Sequence, residues 1–297
     1  MRFSKHFEPG SPPVISFELY PPKTDKAMRE LEAALPRLVA LAPTYLTVTY
    51  GALGSTRERT LEVAERIRRE HGVETASHLT CVGSSAGDID RALDRLRSAS
   101  IENVVALRGD PPKGESRFVP QEGGFAHADE LVAHIRSRGD FGIAVAGYPE
   151  KHVEAPDFET DLRNLCRKVD AGADLVLTQL FFDNSSYFRF VARAREAGVR
   201  TPIVPGILPV QSLAQVRRMT SLCGATVPRA LESALEAAGA DERAAEETGL
   251  RWTIEQCRGL LLGGAPGIHF FVLNRAAPME RILSEIRPLL GRPRIRE

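Results

Sequence analysis

The chain has 297 residues, 43% hydrophobic and 26% charged, and its 39 basic and 39 acidic side chains cancel to a formal net charge of zero. That is ample material for a buried core, in one large domain or two small ones, and the charge balance excludes the strong field that draws a protein to nucleic acid or an anionic membrane. No apolar run is long enough to span a bilayer, the segment Met1 to Glu8 lacks the apolar core of a signal peptide, and Cys81, Cys166, Cys223 and Cys257 show no metal-site spacing. The expectation is a cytoplasmic protein without a metal, its thiols reduced and buried.

Strand-like and helix-like segments alternate along the whole chain. The first strand, 14–20, contains Ile15-Ser-Phe-Glu-Leu-Tyr20, which sets one carboxylate, Glu18, in an apolar run that two prolines stop. Desolvation there is expected to raise the pKa of Glu18 and to keep a proton available near neutral pH; a strand-end glutamate paired with an arginine is the plainer alternative. A helix over 25–41 follows, with Leu31, Leu35 and Leu38 at helical spacing. Further strands are expected at 44–50, 74–81, 103–108, 142–148, 174–181, 202–207 and 268–273, and helices at 57–70, 86–99, 128–138, 159–171 and 185–197, with Gly72, Gly172 and Gly198 closing helix ends. Most strands are nearly continuous apolar runs, the pattern of parallel strands buried on both faces. The stretch 111–125, rich in Gly and Pro, reads as a mobile loop over a site. Residues 211–264 leave room for two or three extra helices before the last strand. Eight such units predict an α/β protein with a single (β/α)8 barrel over 1–297. An open doubly wound sheet is the alternative, disfavoured because no G-x-G-x-x-G turn joins a strand to a helix.

In a (β/α)8 barrel functional groups collect at the carboxyl ends of the strands. Here those ends carry Glu18; Thr49 and Tyr50; His78; Arg108, Gly109 and Asp110; Tyr148 and His152; Gln179; and Arg275. One polar strand end means little, and a lone His78 is more often a satisfied core histidine. Seven converging on one mouth would cost stability without a function. Asp161, Asn164 and Lys168 share roughly one helical face beside Arg167, a face that suits a diphosphate and ribose, or equally a solvated charged surface. The mixture of cations, aromatic rings and glycine suits a large planar ligand with phosphates.

The segments Phe17-Glu-Leu-Tyr-Pro-Pro22, Thr47-Val-Thr-Tyr-Gly51, His78-Leu-Thr-Cys81, Leu107-Arg-Gly-Asp110, Tyr148-Pro-Glu-Lys-His152, Arg167-Lys-Val-Asp-Ala-Gly-Ala173, Thr178-Gln-Leu-Phe-Phe-Asp183, Pro205-Gly-Ile-Leu-Pro-Val210 and Leu273-Asn-Arg275 run in one order from residue 14 to about 276. The ordered set resembles the methylenetetrahydrofolate reductase family in its short bacterial form. The resemblance implies a barrel that holds FAD and reduces 5,10-methylenetetrahydrofolate to 5-methyltetrahydrofolate with NADH or NADPH in a ping-pong cycle, within one-carbon and methionine metabolism, and a homo-oligomer. It matches Glu18 to the general acid. It matches Tyr50, Ala52, His78, Arg108, Gly109, Asp110, Ala128, Tyr148, His152, Ala155, Asp161, Asn164, Arg167 and Lys168 to flavin contacts. Thr49 and Gln179 match positions that meet the nicotinamide nucleotide, and Asp110, Gln179, Gln215 and Arg275 match folate contacts. The chemistry agrees: opening the imidazolidine ring of the substrate needs a positioned acid, and the glutamine amide can pair with a pterin edge or a carboxamide.

Phe271 and Met219 stand where some relatives carry Tyr and Phe, and Met219 is expected on the shared nucleotide and folate surface. The end at Glu297 leaves no room for the regulatory domain of eukaryotic relatives, so control by an adenosyl ligand is not expected. Two other readings stay open: a flavin-free barrel lyase or aldolase using Glu18 and Lys168 for proton transfer, and a non-catalytic barrel acting as a binding partner. A colourless protein that FAD does not reconstitute would favour the first.

Overall fold

The computed structural model describes residues 1–50, 57–111, 114 and 118–291. Eight parallel strands close into a barrel in sequence order: β1 (Val14–Leu19), β2 (Tyr45–Val48), β3 (Thr75–Thr80), β4 (Asn103–Leu107), β5 (Gly142–Gly147), β6 (Leu175–Leu180), β7 (Ile203–Ile207) and β8 (Gly267–Phe271). The barrel and all eight strands match the sequence expectation. Strands 1 to 6 and 8 end one or two residues short of the expected limits, and β7 ends where expected. The reason is physical: the polar residues read as strand ends, such as Tyr50, Arg108 and Tyr148, lie just beyond the last paired strand residues, where the chain turns into the loops that form the mouth.

Alternation along β1 shows how the core divides. Val14 packs inside the barrel with Tyr45, Val105, Ala144, Leu175 and Val204. Ile15, Phe17 and Leu19 point outward into the layer shared with the helices, where they meet Leu31, Leu35 and Leu38 of α1 (Asp25–Ala40). Ser16 and Glu18 share the inward face with Val14. The barrel floor is closed by a 3-10 turn, Phe3–Phe7, whose Phe3 is fully buried edge-on to Tyr45 at 4.9 Å. Asn103 Oδ1 accepts the Phe3 amide at 2.8 Å, which satisfies a buried donor at the floor.

Around the barrel run α2 (Arg57–His71), α3 (Ala86–Ser98), α4 (Ala128–Ser137), α5 (Phe158–Asp170), α6 (Asn184–Glu196), α7 (Leu213–Cys223), α8 (Arg229–Ala237), α9 (Glu242–Leu262) and α10 (Ala277–Leu290). Their starts follow the sequence chemistry: Ser85 and Asp88 form a capping box on α3, and Asp157 and Asp183 cap α5 and α6. The long insertion holds three helices, α7 to α9. A Cβ at Gly249 would sit 2.3 Å from the Val210 carbonyl oxygen, so a glycine there lets α9 press against the chain leaving β7. Of the four cysteines, Cys81 and Cys257 are buried while Cys166 and Cys223 are half-buried, and all four are free thiols. No described helix is long and apolar enough to cross a membrane.

Candidate active site

A cavity of about 580 Å³ opens at the carboxyl ends of the strands. It brings together Glu18, Thr49, Tyr50, His78, Arg108, Gly109, Asp110, Ala128, Tyr148, His152, Ala155, Asp161, Asn164, Arg167, Lys168 and Gln179. Ala52 lies outside the described residues. Gln215 and Arg275 do not reach the cavity wall. The Gln215 amide is spent on backbone: Oε1 accepts the Gln211 amide at 2.9 Å and Nε2 donates to the Pro209 carbonyl at 3.2 Å. Arg275 donates to Gln211 Oε1 and stands 3.8 Å from Glu246. Met219 likewise belongs to the apolar cluster of α7 and α8 rather than to the cavity wall, whereas Phe271 lines it. Asn274 acts as a strap across the barrel seam, its side chain pairing with both main-chain groups of Tyr20 at 3.1 and 3.0 Å.

Glu18 sits where two imidazoles converge. His269 Nε2 lies 3.3 Å and His78 Nε2 3.4 Å from the same oxygen, Oε2. His269 Nδ1 is in turn 2.8 Å from Ser16 Oγ, so a buried polar chain runs from the mouth into the barrel. This overturns the expected pKa of Glu18. Burial does push the carboxyl upward, and it is the largest single influence, but the two imidazoles together outweigh it and hold the carboxyl at about 2. A group depressed from 4.5 to about 2 contributes stability that is complete above the unfolded value and is lost as pH falls through the folded one. Between roughly pH 4 and pH 3 the wild type should therefore lose about 1 kcal/mol more per pH unit than Glu18→Gln. Urea titrations of both proteins across that interval measure it; parallel curves would show that the carboxyl is not depressed.

His269 was not anticipated among the site residues. A single histidine in the apolar strand Ile268-His-Phe-Phe271 reads as core; the available signal was its alternation with Phe271, which puts both on the inward face. Glu154 was also missed. Its carboxylate accepts both arms of the Arg108 guanidinium, at 2.6 and 2.8 Å, with Phe118 packed over Arg108 at 5.4 Å. That pair bridges the loops after β4 and β5 and draws the Glu154 carboxyl below its ordinary range. Phe118 belongs to the loop expected to be mobile. Of that loop, 112–113 and 115–117 lie outside the described residues, while Gly124 forms a bridge to Ser85 at the start of α3.

The predicted face of α5 is present. Asp161 is buried and accepts the His152 amide at 3.1 Å, Asn164 and Arg167 are exposed on the rim, and Lys168 reaches back to donate to the Ala146 carbonyl at 2.5 Å. Burial lowers the Lys168 ammonium to about 8. It lies 5.9 Å from the centre of the Tyr148 ring, which packs edge-on to His152 at 4.7 Å. On the far wall a register irregularity between Leu177 and Leu180 lies beside Gln179, whose Oε1 accepts the Leu180 amide at 2.8 Å. Across it, Gly206 has no room for a Cβ: the Phe271 ring would be 2.8 Å away. No cluster of acidic, histidine or cysteine side chains able to hold a metal ion occurs among the described residues.

The cavity suits a ligand with a planar ring and phosphates on the chemistry of its own walls. It offers Arg167 and Lys168 as cations, Tyr148 and His152 as flat surfaces, and a buried His78 Nε2 not aligned for a hydrogen bond to any described group. A family profile described as methylenetetrahydrofolate reductase matches residues 2–287. The chain is 44% identical over 272 residues to methylenetetrahydrofolate reductase (NADH) 1 of Arabidopsis thaliana, covering 88% of this chain and 46% of that protein. It is 36% identical over 262 residues to 5,10-methylenetetrahydrofolate reductase of Escherichia coli, covering 88% and 86%. The chain thus spans about half the length of the plant relatives and most of the bacterial one. Among solved structures, a Clostridium thermocellum protein that binds two copies of 5-methyl-5,6,7,8-tetrahydrofolic acid shares the fold, with TM-score 0.65, 16% identity and 96% of both chains covered.

Proposed function

The chain belongs to the methylenetetrahydrofolate reductase family, and on that premise we propose that it reduces 5,10-methylenetetrahydrofolate to 5-methyltetrahydrofolate with NADH or NADPH, using FAD at the barrel mouth in a ping-pong cycle. The observation that carries this reading is the single cavity that unites Glu18, Asp110 and Gln179 with the cationic and aromatic face of α5 and the loop after β5. Arg167 and Lys168 would hold the diphosphate, and Tyr148, His152 and Ala155 the rest of the cofactor. FAD supplies the two-electron carrier between the nicotinamide and the folate.

The chain's own residues then have separable tasks. Glu18 gives a proton to the leaving nitrogen of the folate ring. Because the imidazoles keep Glu18 ionised in the ligand-free protein, it must first be charged with a proton. His269 is placed to do so: Nε2 stands 3.3 Å from Oε2, so an imidazolium there can pass its Nε2 proton to the carboxylate and remain as the neutral ring, with Nδ1 held 2.8 Å from Ser16 Oγ. A folate bound over Glu18 excludes water and places its basic nitrogen against the same carboxyl, which favours the protonated form. Gln179 presents its amide to the substrate edge, and Asp110 accepts from the pterin.

The product assay is direct. Purified protein with FAD, NADH and methylenetetrahydrofolate should form 5-methyltetrahydrofolate, identified by chromatography, and initial rates at several fixed folate concentrations should give parallel double-reciprocal lines. Intersecting lines would exclude the ping-pong cycle. Asp110→Asn should slow the folate half of the cycle about tenfold or more and leave the nicotinamide half nearly unchanged, since it removes a charge but keeps the shape. The opposite split in stopped-flow traces would move Asp110 to the nucleotide.

A further inference from the structure

Lys151 stands in the loop between β5 and α5, where no role has been assigned to it. Its backbone is left-handed, with φ of 81°. A long L side chain rarely takes that conformation, and it persists only where neighbouring interactions impose it. Here they are visible. The Lys151 amide donates to the Tyr148 carbonyl at 3.2 Å, closing a tight turn. The side chain then curls over the next turn, and Nζ donates to the Ala155 carbonyl at 2.6 Å and the His152 carbonyl at 3.1 Å. The Ala155 amide closes the same ring by donating to the His152 carbonyl at 3.0 Å. One ammonium therefore gathers two carbonyls of a five-residue loop, as a bound cation would.

That loop carries three groups toward the mouth. His152 and Ala155 line the cavity, and Glu154 holds Arg108. Its other fastenings are Asp161 on the His152 amide at 3.1 Å, and Glu150, which accepts the Thr226 amide at 2.9 Å. These anchor the loop to α5 and to the link between α7 and α8, while Lys151 fixes its internal shape.

We propose that Lys151 is a positioning residue whose ammonium, set by a left-handed backbone, pre-shapes the loop that receives the cofactor. The proposal rests on the reading of the mouth as a flavin site. Pre-shaping lowers the ordering cost that binding would otherwise carry. Its removal should appear as faster cofactor loss, with no change in the electron transfer of the protein that remains loaded.

Two variants separate the backbone from the ammonium. Lys151→Met keeps the long stem and loses the donor. Lys151→Gly accepts the left-handed backbone freely and also loses the donor. Two readouts are needed: the FAD dissociation rate of the holoprotein, followed by flavin fluorescence, and amide hydrogen exchange over residues 148–157 in cofactor-stripped protein. Both variants should release FAD about tenfold faster and exchange the His152 and Ala155 amides about tenfold faster, with an unchanged melting temperature and an unchanged rate of NADH oxidation per bound flavin. Wild-type FAD release in either variant would overturn the proposal, because the ammonium would then be dispensable. If wild-type protein bound no FAD while the exchange contrast persisted, the clamp would stand and the flavin reading would fall. If FAD bound and the exchange contrast were absent, the clamp would fall and the flavin reading would stand.

Discussion

Glu18→Gln should abolish most folate reduction while sparing the reaction with NAD(P)H. Glutamine keeps the volume of the side chain and can still bond to His269, but it has no carboxylic proton to give. Hydride transfer from a nicotinamide needs no acid to open a ring; reduction of the methylene group does. Loss of a general acid typically costs about 10²–10⁴-fold, so the folate step should fall by that factor and the nicotinamide step by no more than about tenfold. Each step is followed separately by flavin absorbance in anaerobic stopped flow. Equal losses in both would mean that the carboxylate holds the two imidazoles in place rather than donating a proton. A normal folate step would put the acid elsewhere.

Replacing Arg167 with Ala and Lys168 with Met should produce the second large effect, on cofactor retention. Hydrogen bonds to charged groups are each worth roughly 1.5–3 kcal/mol, so the double variant should bind FAD on the order of 10²-fold more weakly. Met at 168 keeps the stem against Tyr148 and so limits the packing loss. The buried amine adds a pH signature. Its pKa of about 8 means that the ammonium is present below that pH and lost above it. If it meets phosphate, wild-type FAD affinity should fall as pH rises through 8, and Lys168→Met should show no such fall. The stability of the cofactor-free protein should move the other way. The folded state binds fewer protons at this site than the unfolded state between about 8 and 10.5, so stability rises with pH across that window. Equilibrium binding of FAD at pH 7 and pH 9 distinguishes the cases; equal affinities in the wild type would remove Lys168 from the phosphate.

The barrel was legible because eight apolar runs, each too short for a core helix and spaced by amphipathic stretches, leave few other architectures. The strand ends were legible as a group, and the cavity unites most of them. What escaped the sequence depends on contacts between distant segments. Glu18 was read from its own apolar strand, which gives burial and hence an upward shift. One of the two imidazoles that reverse the sign lies 251 residues away on β8, which closes against β1 only when the barrel forms. The Arg108 to Glu154 pair joins two loops that have no shared pattern in the sequence. Gln215 was assigned by resemblance alone, and Arg275 by its place at the end of the last strand together with the resemblance. In the ligand-free structure the Gln215 amide serves the backbone at the start of α7; Ser212-Leu-Ala-Gln215 has the S-x-x-Q form of a helix cap, a local signal for that choice which the resemblance did not use.

The central claim is that one cavity serves a nicotinamide and a folate in turn through FAD. The visible spectrum of the purified, FAD-loaded protein under anaerobic conditions tests it most directly. Addition of NADH or NADPH should bleach the flavin band, and subsequent addition of methylenetetrahydrofolate, with no oxygen present, should restore it. A protein that neither carries nor takes up FAD, or whose bleached band methylenetetrahydrofolate fails to restore, would contradict the account.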